Sequence, residues 1–289
     1  MKRISGMGST ALMLLLVIGT ALAQRAPLAD NAALRYWAAF SQLQDAAITD
    51  EQARELESVL DKMGPFDISR YNDLIQKNTP ALEIMARGTA LPHCDWGLDY
   101  GLGENLPVDY ARKALVLGRL NILYVMHLYH SGNRDGAIDA LAAGMRFSQD
   151  VANGGSFFAT LVAKDLLVTH FIAASDALRM GSLSPAQRSR LQNAVTAVGN
   201  GLDWPAAAKR DLESLEPRNS GDPRVSAALS RIISAYSAFI KEESNLTSVM
   251  NAINQAPPDL QALIPNPKRI EEQKQEFTSK LQQLRALLQ

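Results

Sequence analysis

Along most of the chain the apolar positions recur every three or four residues. Ala33, Trp37, Phe40 and Leu43 make one stripe; Leu229, Ile232, Ile233, Tyr236, Phe239, Ile240, Leu246, Val249 and Ile253 make another. That spacing puts each set on one face of a helix with 3.6 residues per turn. No run alternates β-branched and polar residues between turns, so no strand is predicted. The punctuation agrees. Thr49-Asp50-Glu51-Gln52 has the form of a capping box. Thr79-Pro80, Ser184-Pro185 and Asp222-Pro223 each pair an N-cap side chain with proline at the first helical position. Gly64, Gly88, Gly132 and Gly181 follow periodic runs and read as C-terminal stops.

Helices are predicted over 30–45, 50–63, 67–78, 80–87, 107–131, 134–152, 155–180, 185–199, 204–216, 223–254 and 268–288. Those at 107–131 and 155–180 are apolar on most sides, which predicts central helices with neighbours packed around them. The fold class is therefore all-α: an irregular antiparallel helical array with helical hairpins and one long ordered loop over 88–107. The turn at His130-Ser131-Gly132-Asn133-Arg134-Asp135 makes one hairpin. Gly132, Ala137 and Leu141 stand where a tetratricopeptide repeat has its turn glycine, small residue and large apolar residue. This hairpin resembles one such repeat, but its Trp, Leu-Gly and terminal Pro positions are unfilled. No second copy follows at the period of about 34 residues, so an ordinary helical hairpin is the preferred reading.

The N-terminus reads as an address. Lys2 and Arg3 precede the apolar run Ala11 to Gly19, and Ala21-Leu22-Ala23 supplies a small-x-small cleavage site. Residues 1–23 are read as a signal peptide cleaved after Ala23. The helical domain is 24–256, a Pro-rich link is 257–267, and a C-terminal helix is 268–289. Gln24 stands where a lipoprotein would carry Cys. The apolar stretch from Ala114 to Tyr129 is interrupted by Arg119, Asn121 and His127, so no transmembrane segment is expected after cleavage.

Charge and cysteine content narrow the classes further. With 29 Lys+Arg against 30 Asp+Glu the formal net charge is −1, so no global field favours nucleic acid. One Cys excludes an intrachain disulfide and a Cys-based metal cluster. Export with a single Cys fits a bacterial periplasmic or secreted protein. The nine Met are scattered, as core filler is. At the C-terminus, Pro257-Pro258 and Pro265-Asn266-Pro267 bracket a stiff link. Beyond it Ile270, Phe277, Leu281, Leu284 and Leu288 form a heptad seam. Docking of this seam on the body is preferred over pairing with a second chain.

The candidate chemistry lies in the loop. It holds His93, Cys94, Asp95, Trp96, Asp99, Tyr100 and Glu104 among Gly88, Gly97, Gly101 and Gly103. Links this long without secondary structure are often functional. Three chemistries compete there. His93, Cys94, Asp95, Asp99 and Glu104 offer metal ligands, though their spacing matches neither a zinc nor a calcium pattern. Cys94 is a nucleophile only with a depressed pKa and an oriented base, to be drawn from His93, His127, His130 or His170. Asp95 with Asp99 or Glu104 is a possible acid–base pair of the kind that cleaves glycans. Against these stands a structural loop anchored by Trp96 and Tyr100. His127 and His130 share a helix face, and they and His170 are read as core or hydrogen-bonded residues.

Asn31-Ala32-Ala33 with Tyr36-Trp37, the Cys94-Asp95-Trp96-Gly97 loop and the Gly132 to Leu141 hairpin occur in that order. In this combination the chain is similar to a group of exported all-helical bacterial proteins of uncharacterised activity, over roughly the first two-thirds of the mature chain. The resemblance implies an exported helical protein and brings no substrate, cofactor or catalytic residue. The expected function is a non-enzymatic binding or scaffold protein of the cell envelope with a protein partner, and no cofactor or metal. The alternative is an envelope enzyme or metal-binding protein using the 93–104 loop.

Overall fold

The computed structural model describes residues 30–44, 67–100, 109–181, 183–199, 201–219, 221–241 and 246–289, with 51, 54, 55 and 102 besides. The 1–23 leader, the capping box at Thr49, most of the helix expected at 50–63, and Glu104 lie outside them. Among the described residues there are eleven α-helices and no strand. They are α1 Ala32–Ser41, α2 Asn72–Thr89, α3 Asp109–His130, α4 Arg134–Ala152, α5 Phe157–Met180, α6 Pro185–Ala197, α7 Trp204–Asn219, α8 Pro223–Lys241, α9 Leu246–Asn254, α10 Pro258–Gln261 and α11 Pro267–Leu288. The fold is all-α.

The centre is a triangle of α3, α4 and α5, each packed on the other two. α1 and α2 pair and cover one side of it, α6 packs on α4, and α7 to α9 form a second helical layer joined to α5 through α7. By length and apolar composition α5 meets the requirement for a membrane span, yet 67% of that stretch is buried inside the protein. Its buried face carries His170 and Lys164, as a core helix of a folded body does.

Local signals set most of the ends. Ser184 caps α6 and Gln187 returns the bond to its backbone, completing a capping box with Pro185 at the first position. Asn133 caps α4 through Gly136 N–H, and Gly132 before it takes φ +82°, the left-handed turn that glycine adopts without strain. Four expectations are corrected. The helices expected at 67–78 and 80–87 are a 3-10 turn, Ile68–Tyr71, running into one continuous α2 with Pro80 inside it. Thr79, expected as a cap, donates instead to the Ile75 carbonyl one turn back. Gly88 is not a stop but a close-packing point inside α2, where a Cβ would come within 2.6 Å of the Tyr36 ring. The helix expected over 223–254 is two, α8 and α9, packed against each other.

The α1 face is also turned from the expected stripe. Ala32, Ala33, Tyr36, Ala39 and Phe40 are buried, while Trp37 lies on the rim at 39% exposure. Tyr36 goes inside because its hydroxyl finds a buried acceptor, described below. In the triangle itself one side chain ties all three helices. Asn121 of α3 donates to the Ala140 carbonyl of α4 (2.9 Å) and meets His170 Nε2 of α5 (3.1 Å). His170 Nδ1 lies 2.7 Å from the Leu166 carbonyl, which fixes Nδ1–H as donor and Nε2 as acceptor. Full burial pushes the His170 pKa down to about 4, so the ring stays neutral. A Cβ on Gly144 would overlap the imidazole, so the three helices meet this closely only because position 144 is glycine.

The C-terminal seam docks on the body. Phe277, Leu281, Leu284 and Leu288 are buried in the main core, and Ile270 in the second core built by α7 to α10. α11 therefore spans both. Polar contacts pin it: buried Lys164 to Glu276, Arg188 to the Leu287 carbonyl (3.1 Å), and Arg285 to the Gly199 carbonyl (2.6 Å). The Pro-rich link is packed too, with Leu260 and Ile264 buried in the second core. Phe277→Ala is expected to cost about 3–5 kcal/mol and lower the melting temperature by on the order of 10 °C, read by thermal unfolding. A truncation at Pro265 that left unfolding unchanged but removed a dimer would contradict docking on the body.

Candidate functional site

The loop after α2 begins at the isolated bridge between His93 and Asn31. Asn31 is the hinge of the arrangement. Its side-chain oxygen caps α1 through Ala33 N–H (3.1 Å) and accepts from Asp95 N–H (2.9 Å). Its amide donates to the Asp95 carbonyl (2.7 Å), while the His93 carbonyl takes Ala32 N–H (2.9 Å). One asparagine thus starts a helix and fixes the loop across it. The Asp95 carboxylate turns back on Gly97 N–H (2.9 Å), closing a local turn.

From there the loop enters the core. Trp96 is buried among Tyr36, Phe40 and Tyr110, stacked on Phe40 at 6.0 Å and 4.3 Å from Tyr110 between ring centres. Its indole N–H donates to the Asp150 carbonyl (2.7 Å), and the Cys94 thiol points at the same oxygen (3.7 Å). That carbonyl belongs to the last turn of α4, where it also takes the C-cap Asn153 N–H at 3.2 Å. Tyr110 OH serves the next carbonyl, Val151, at 3.3 Å. The loop adds side-chain donors to the C-terminal end of α4 from about 55 residues away in sequence.

The Asp150 side chain is the other half of the constellation. It is fully buried and accepts from Tyr36 OH (2.6 Å), with Arg146 Nε at 3.2 Å and Asn153 Nδ2 at 3.4 Å. Burial raises its pKa, opposed by the Tyr36 hydroxyl and the Arg146 charge. Burial also raises the Tyr36 and Cys94 pKa values, and the Asp150 charge adds to both. Cys94 is thereby held as a thiol, the opposite of what nucleophilic catalysis needs.

The predicted site residues therefore separate. Cys94 and Trp96 converge on Asp150. His93, Asp95 and Asp99 stay at the exposed edge of the loop. His127, bonded to Asn72 at 3.2 Å, His130, on its own helix, and His170, in the core, do not converge on Cys94. Among the described residues no three of His, Cys, Asp and Glu stand together as metal ligands. Sequence reasoning missed Asp150, Tyr36 and Arg146. The available signal was a carboxylate on an apolar stripe, one position before Val151 and three after Phe147.

The loop's far end reaches α7. The Arg210 guanidinium lies over the Tyr100 ring, 5.5 Å from its centre. Next to it Asp211 accepts from Phe157 N–H at the start of α5 (2.9 Å), and burial pushes its pKa up to about 6.

With its thiol half-buried and held protonated, native Cys94 is expected to react with a disulfide reagent at pH 8 at least about tenfold more slowly than in denaturant. Labelling of the folded protein at the unfolded rate would contradict the assignment. Compared with known proteins, the chain matches no family model, no curated protein and no solved structure.

Proposed function

We propose that this is an exported cell-envelope protein that binds rather than catalyses. One observation carries the reading: Cys94, Trp96 and Asp95 of the loop are engaged in structure. The Cys94 thiol and Trp96 indole meet the Asp150 carbonyl at the end of α4, and the Asp95 carboxylate closes its own turn. Buried polar groups committed in this way hold a fold together, and moving them to do chemistry would leave unpaired donors in the core. Helical arrays without a catalytic set commonly present surfaces and clefts to ligands. The leader at 1–23 supports export, with cleavage after Ala23.

Native mass spectrometry with metal analysis, on protein recovered from an envelope fraction, tests this. The expected result is the cleaved chain, with Cys94 unmodified, carrying a non-covalent species that persists in Cys94→Ala and Asp99→Asn. A covalent adduct on Cys94, or a stoichiometric metal lost on substitution of His93 or Asp99, would overturn it in favour of chemistry in the loop.

A further inference from the structure

We propose that the cavity between the end of α4, the start of α5 and the start of α7 binds a short zwitterionic peptide, its carboxylate on Arg210 and its ammonium on Asp203. The inference rests on the binding reading above and gives that reading a place and a ligand class.

The cavity holds about 340 Å³. That is near the lower end of small-molecule pockets, roughly 300–1,000 Å³, and excludes a folded partner. Gly155, Gly201, Ala206 and Ala207 line it with almost no side-chain bulk, so the space is built into the backbone arrangement. Asp203 and Arg210 stand on its wall as opposite charges. Asp203 stands at the N-cap of α7 and Arg210 lies within it, seven residues on and about 10 Å along the axis.

A single amino acid carries its charges one residue apart. An extended dipeptide separates them by at most about 7 Å, which suits the gap better.

Both charged groups are positioned and still have capacity. The Arg210 guanidinium lies over the Tyr100 ring and fills the place a Cβ would take on Gly155. Its neighbour Lys209 is the residue that pairs with Glu213. A guanidinium offers a planar fork of donors that matches a carboxylate. Asp203 uses one oxygen to cap α7 through Ala206 N–H (3.1 Å), and an ionised carboxylate has several further acceptor sites.

Isothermal titration calorimetry of the full chain with L-alanyl-L-alanine tests the assignment. The expected result is a saturable one-to-one isotherm. The C-terminal amide and the N-acetyl form of the same peptide should each bind at least about tenfold more weakly, a loss of about 1.4 kcal/mol. Arg210→Ala should lose binding by a similar factor with unchanged thermal unfolding. Asp203→Asn, which keeps the helix cap, should weaken the free peptide but not the N-acetyl form. No heat at about 10 mM peptide, or equal affinity in Arg210→Ala, would overturn the proposal. A species that co-purifies with Arg210→Ala as with the unaltered chain would overturn this cavity as its site and leave the binding reading standing.

Discussion

One residue, Asp150, joins three parts of the chain that are far apart in sequence. Its carboxylate takes the Tyr36 hydroxyl of α1, and its backbone carbonyl takes the Trp96 indole and the Cys94 thiol of the loop. A buried carboxyl group is costly unless it is hydrogen-bonded, and so is the indole N–H of a buried tryptophan without an acceptor. The two requirements fall on the same residue. Meeting them fixes the rotation of α1, the path of the loop and the end of α4 together. The aromatic cluster of Tyr36, Phe40, Trp96 and Tyr110 packs around this point and keeps water from it.

The rest of the array uses the same device at smaller scale. Asn121 and His170 tie the three central helices through a bond that needs Gly144 bare. Lys164 and Glu276 tie α5 to α11. Each is a polar contact inside or at the edge of an otherwise non-directional core. Apolar packing alone tolerates several arrangements of helices. Satisfied polar contacts leave far fewer, because every alternative strands a donor or acceptor. The loop belongs to this set: its cysteine and tryptophan meet the Asp150 carbonyl, while Asp95 and Asp99 stay exposed.

Much of the helical layout was legible from local signals. Ser184-Pro185, Asn133 with Gly132, and the seam from Ile270 to Leu288 act within a few residues, and each does what its spacing implies. Thr79-Pro80 misled because a threonine that bonds back one turn reads, in sequence, like a cap. Trp37 misled because the apolar stripe takes no account of a tyrosine whose hydroxyl has a buried partner 114 residues on. The loop's composition drew notice, but its meaning depends on Asp150, more than 50 residues away, and no local pattern encodes that distance. The cavity beside Arg210 was illegible for the same reason: its walls come from α4, α5 and α7, and small residues carry no chemical signal by themselves.

The most direct measurement of the central constraint is a double-mutant cycle in thermal or denaturant unfolding with Tyr36→Phe, Asp150→Ala and the pair. Each single change strands a buried group, whereas the pair removes both, so the losses should fall short of additivity by about 1–3 kcal/mol. Additive losses would contradict the account, because Tyr36 and Asp150 would then be independent core positions and not the point that sets α1, the loop and α4 against one another.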